Sequence, residues 1–142
     1  MTRVRLAVAG GLGHSADVDA AAAALVAEHS SPGGSGSAGL AREFTRRTLL
    51  AWGYLGTHED VVLAVSELVA NANRHALGPS TLRLAGCAER VRVEVSDRSP
   101  RWPSIRPGGT DGGWGLPLID RLARRWGVAA RGDGKVVWCE LD

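Results

Sequence analysis

The chain has 142 residues and a formal charge of +2. That length suits one domain with its own core, and the charge is too weak to make nucleic acid the default partner. No apolar run approaches the roughly 20 residues that cross a bilayer, and two cysteines, Cys87 and Cys139, are too few for a disulfide framework. The basic residues are Arg except for Lys135, which beside so much Ala and Gly reads as the codon bias of a GC-rich genome. Both cysteines fall in or beside expected strands and read as buried, inert thiols. Arg3 and Arg5 precede LAVAGGLG, an apolar stretch too short and Gly-broken for a signal peptide, so a cytoplasmic location is expected.

In chain order, RVRLAVA (3–9) reads as a strand. SADVDAAAAALVAEHS (15–30) is Ala-rich with a Ser15 cap and reads as a helix. SSPGGSGSAG (30–39) has the composition of a flexible linker. Residues 1–37 are therefore expected to be an N-terminal extension, and residues 38–142 the main domain. LAREFTRRTLLAWG (40–53) puts Leu40, Phe44, Leu50 and Ala51 at helical spacing, with Gly53 as the stop.

The next helix runs from His58 to about Ala76. STLRLAG (80–86) and VRVEVSD (91–97) flank the turn CAER as a hairpin, in which Val91, Val93 and Val95 face inward. A Pro/Gly/Arg-rich loop covers 98–113. A helix follows from Leu116 to about Trp126, with Pro117 tolerated in its first turn. ARGDG is a turn and KVVWCEL (135–141) a final strand. The expected class is α+β: a two-layer sandwich with helices on one face of a mixed, mostly antiparallel sheet.

The helix starting at His58 has an apolar stripe of Val61, Val65, Leu68, Ala72 and Ala76. Glu67, Asn71 and His75 stack along a second line bordering it, Glu67 and Asn71 about 6 Å apart along the axis. A carboxylate and an amide at a core margin need partners. A hydrated magnesium ion on a polyphosphate would be one, since the amide oxygen of Asn is a hard ligand that adds no charge repulsion. A Glu one turn away could orient or deprotonate an attacking hydroxyl. The plainer reading of the line is ordinary helix polarity. Asp97, at the end of an inward-facing Val strand, could accept a hydrogen bond from an exocyclic amine, or simply start a turn. Gly112, Gly113 and Gly115 lead into a helix N-terminus, where free N–H groups favour anions.

Taken together, ELVANANRH on a helix, SDRSP at a strand end, GGWGL opening a helix and GDGKVVWCEL as the last strand resemble the GHKL ATPase superfamily, which includes histidine-kinase catalytic domains and gyrase B. The resemblance covers about residues 40–142. It is nearest to the small anti-sigma-factor serine/threonine kinases and actinobacterial ATP-binding proteins.

The resemblance implies an ATP-binding sandwich in which Glu67 is catalytic and Asn71 ligates Mg²⁺. It also implies that Asp97 holds the adenine amine, and that Gly113, Trp114, Gly115 and Leu116 bind phosphates beneath a lid over 98–112. The implied reaction moves the γ-phosphoryl group of ATP to Ser or Thr of a STAS-domain anti-sigma antagonist, controlling a sigma factor; close relatives imply a homodimer. Ser99-Pro100 departs from the first glycine box. Trp114 stands for the usual Arg, and Val136 for a Thr that relatives use beside Asp97.

Three other readings compete. One is a weak or inactive module of the same fold that sequesters a sigma factor or antagonist, with Arg42, Arg46 and Arg47 as a docking surface. Gly11, Gly13 and Ala16 imitate a dinucleotide fingerprint, but the second strand with its acidic end is missing. Nucleic-acid binding through Arg121, Arg124 and Arg125 lacks an aromatic platform.

Overall fold

The computed structural model describes residues 2–7, 24–75, 79–99 and 116–142. Their elements run β1 (Thr2–Ala7), β2 (Ala24–Ser31), α1 (Ser37–Trp52), α2 (His58–His75), β3 (Ser80–Gly86), β4 (Val91–Asp97), α3 (Leu116–Leu122), β5 (Arg125–Arg131) and β6 (Gly134–Leu141). The strands make one sheet in the order β1-β2-β3-β4-β6-β5. Every pairing among them is antiparallel. The helices cover one face, α2 touching β3, β4 and β6, and α1 touching β2 and α2. This is the α+β sandwich with a helical layer that the pattern implies.

The sheet is built outward from the β3–β4 hairpin. Its valines alternate with Arg92, Glu94 and Ser96, so Val91, Val93 and Val95 all point under the helices and are fully buried. The CAER turn closes on a Cys87 N–H to Arg90 carbonyl bond of 2.9 Å. Strand β6 then pairs Val137 with Val95 and Cys139 with Val93, extending the same apolar face. Burial pushes the Cys139 thiol up to about 12, which fits an inert core thiol.

Helix α2 begins with Glu59 and Asp60, whose charges favour a helix N-terminus. Its expected stripe of Val61, Val65, Leu68 and Ala72 is buried, and Val62, Ala64 and Val69 are buried with it. The wider burial follows from packing α2 between the sheet and α1. Each of these valines and Leu68 contributes about 1.5–3 kcal/mol on full burial.

Helix α1 ends as expected at Gly53, which takes φ 64° while its N–H and that of Tyr54 bond the carbonyls of Leu50 and Leu49. Its buried side matches the expected one only at Phe44. Leu40 and Leu50 are 55% and 71% exposed, Ala51 is exposed too, and the helix turns Ala41, Thr45, Thr48 and Leu49 inward beside Phe44. The threonines tolerate burial because their hydroxyls donate back to the Ala41 and Phe44 carbonyls, each at 2.8 Å.

Three further expectations give way. Residues 24–30, read as helix, are strand β2, hydrogen-bonded on both sides by β1 and β3. Two neighbouring ladders outweigh the helix propensity of an Ala-rich segment. The sheet therefore runs through the boundary expected at residue 37, and the supposed linker narrows to the turn between β2 and α1, where Gly33, Gly34 and Gly36 take positive φ. Third, α3 stops at Leu122, and Arg125–Arg131 form the edge strand β5. Trp126 thus lies on a strand, its indole N–H donating to Asp120 at 2.8 Å. Residues 8–23 and 100–115, which hold the fingerprint-like glycines and most of the expected lid, lie outside the described residues.

Candidate functional site

The end of β4 lies beside the start of β6 under α2, and there the apolar face admits charge. The register sets Asp97 directly opposite Lys135, two pairs beyond Val95 and Val137 and so on the same face. Both side chains are buried, Asp97 at 2% and Lys135 at 4% exposure, with Nζ donating to Oδ1 at 2.9 Å. The same Oδ1 accepts the Ser99 N–H at 2.8 Å, and Nζ also reaches the Ser99 carbonyl at 3.5 Å. Gly134 permits this approach, because a β-carbon there would collide with the Asp97 carbonyl oxygen.

Helix α2 closes the other side. Asn71 is 9% exposed and lines one recess with Asp97 and Lys135. Leu68 and Ala72 of α2, Val95 of β4 and Val137 of β6 supply apolar walls. The room among these described residues is about 10 Å³, near the minimum for one water molecule. Glu67 is half-buried one turn before Asn71 and is not part of the lining.

Leu116 opens α3 with its side chain 1% exposed in the core, so only its backbone is left for a ligand. Gly113, Trp114 and Gly115 lie outside the described residues, as does Ala76 and the side chain of His75.

One expectation is corrected by the register. Val136 pairs with Ser96 and Ala129 on the opposite face of the sheet, because neighbouring strand residues point to opposite sides. The residue beside Asp97 is Lys135, and valine at 136 takes nothing from the recess. Lys135 and Gly134 are the site residues that the sequence reading missed. The available signal was the chain's sole lysine at the start of a strand that pairs with the one ending in Asp97.

Chemically, the recess offers a carboxylate, an ammonium and a carboxamide within apolar walls. Among the described residues no three His, Cys, Asp or Glu side chains gather as a metal cage. A cation held at Asn71 would thus take most of its ligands from water and phosphate, which suits Mg²⁺. Among the same residues no helix is long and apolar enough to cross a membrane.

A family profile described as a histidine kinase-like ATPase domain matches residues 18–140, from before β2 into β6. The chain is also similar to a Streptomyces coelicolor protein named uncharacterized protein SCO4941, at 43% identity over 67 residues. That match takes in 44% of this chain and 64% of the relative, so the chain spans less than two thirds of that protein. With the profile running across most of its length, the chain belongs to the histidine kinase-like ATPase domain family.

Proposed function

We propose that this ATP-binding regulatory protein transfers the γ-phosphoryl group of ATP to a Ser or Thr of a STAS-domain anti-sigma antagonist. The observation that carries the reading is the recess that joins Asn71 of α2 to Asp97 of β4. Asp97 would accept a hydrogen bond from the base, and Asn71 would hold Mg²⁺ through its carboxamide oxygen. The ion's contribution is to neutralise phosphate charge, the main requirement of such transfers. Glu67 would accept the proton of the attacking hydroxyl as its oxygen bonds the γ-phosphorus and the bond to the ADP oxygen breaks. Gly113, Trp114, Gly115 and the Leu116 backbone would cradle the phosphates.

The test is a titration with ATP, with and without Mg²⁺, followed by a transfer assay on a STAS protein. Asn71→Ala should weaken Mg²⁺-dependent binding at least tenfold. Glu67→Ala should keep binding and lose transfer. ATP binding without transfer, together with capture of a sigma factor or antagonist, supports the sequestering module instead. Mg²⁺-independent binding that Asn71→Ala leaves unchanged overturns the site.

A further inference from the structure

Lys135 gives the recess a donor that a lone carboxylate would not. The two hydrogen bonds that Asp97 accepts from described residues both land on Oδ1, leaving the capacity of Oδ2. Nζ has three N–H groups, and its two described acceptors are Asp97 Oδ1 and the Ser99 carbonyl. An acceptor and a cationic donor therefore stand next to each other in a slot walled by Leu68, Ala72, Val95 and Val137. That combination is complementary to the edge of a flat heterocycle carrying an acceptor beside a donor.

Two purine edges have that pattern. Adenine offers N1 as acceptor and the 6-amino group as donor. A 6-oxopurine offers O6 as acceptor and N1–H as donor. A carboxylate facing the base alone favours adenine, because the 6-oxo group would be buried without a partner. With an ammonium present the oxo group gains a charge-assisted hydrogen bond.

We infer that Lys135 is a base-reading residue, and that the site accepts 6-oxopurine nucleoside triphosphates alongside ATP. This rests on the recess being the nucleotide site. Inosine triphosphate is the direct probe, since it differs from ATP only at the edge in question. Dissociation constants for ATP and inosine triphosphate, measured with Mg²⁺ on the full chain, should lie within about tenfold of each other. Lys135→Thr should weaken the inosine nucleotide at least tenfold more than ATP. Lys135→Arg, which keeps a cationic donor, should preserve most of the wild-type ratio.

Binding of ATP with inosine triphosphate more than 100-fold weaker overturns the inference and leaves the nucleotide site standing. An equal loss of both nucleotides in Lys135→Thr does the same, for Lys135 would then only balance the charge of Asp97. Binding of neither nucleotide to the wild type removes the site and the inference together. If Lys135→Thr fails to fold, the wild-type ratio and Lys135→Arg still decide.

Discussion

The two faces of the sheet treat charge in opposite ways. On the open face, carboxylates lie under a layer of arginines: Arg92 bonds Glu94 at 2.8 Å and Glu140 at 2.9 Å, and Arg125 bonds Glu140 at 2.6 Å. Arg92 also lies 4.2 Å from the centre of the Trp138 ring, a ring that passes so close to Gly127 that a β-carbon there would sit 2.9 Å from it. These guanidiniums remain a third or more exposed, so water still solvates the charges and the pairs are inexpensive.

On the helix-covered face the Asp97–Lys135 pair sits among valines and a leucine, with almost no exposure on either side. Removing two charges from water in such a place is costly, and a well-packed apolar pair would often be as stable. The open face therefore reads as surface chemistry that supports the fold. The covered pair has no such solvation to offset its cost, and under the proposed function its place is to meet a ligand.

That contrast is sharpest in Asp97→Ala, which leaves the Lys135 ammonium buried without its counter-ion. The expected loss is about 3–5 kcal/mol in denaturant unfolding. The double change Asp97→Leu with Lys135→Met should recover most of it. A loss below about 1 kcal/mol for the single variant would make the faces energetically alike.

Glu140→Gln probes the open face and should cost about 1 kcal/mol at neutral pH, because its arginine partners stay partly solvated. Burial alone would raise the Glu140 pKa, but the bonds from Arg125 and Arg92 outweigh it and hold the carboxyl below its ordinary value. A lowered folded-state pKa stabilises the fold above the unfolded value, about 4.3 for Glu, and that stabilisation disappears as pH falls through the folded value. The gap between wild type and Glu140→Gln should therefore close in acid, read from unfolding midpoints across that range.

The smallest effect belongs to His29, on the covered face two strands away from Val95 of the recess. Its ring stacks on Phe44 at 5.1 Å, and both ring nitrogens are buried without a partner. Burial first, and then positive charge that includes Arg47, lowers its pKa. Its contribution is thus present above the ordinary imidazole value, about 6.5, and is lost as pH falls through the lower folded value. His29→Phe should keep the stack and flatten this part of the stability profile, leaving the acid limb due to carboxylates. An unchanged profile would show that a covered-face imidazole is as well accommodated as an open-face one.

How much of this was legible in the sequence depended on whether local pattern or partner strands decided the outcome. The β3–β4 hairpin and α2 were readable because the valine alternation and the helical stripe agree with the packing they enter. Strands β2 and β5 were not, since ALVAEHS and RWGVAAR carry no alternation of their own and become strands through pairing with neighbours. Asn71 and Asp97 stood out as polar residues in apolar settings, and the fold brings both to one recess. Lys135 was hidden because spacing along a strand does not say which residue lies opposite another; register does.

The chain's sole lysine is nearly sealed from solvent, which makes it a built-in reporter. Amine-acylating reagents attack only accessible, deprotonated amines, so apart from the α-amino group the native protein should resist them. The rate of modification at this one side chain, followed by mass spectrometry, would then time the opening of the cleft and show how an occupant slows it.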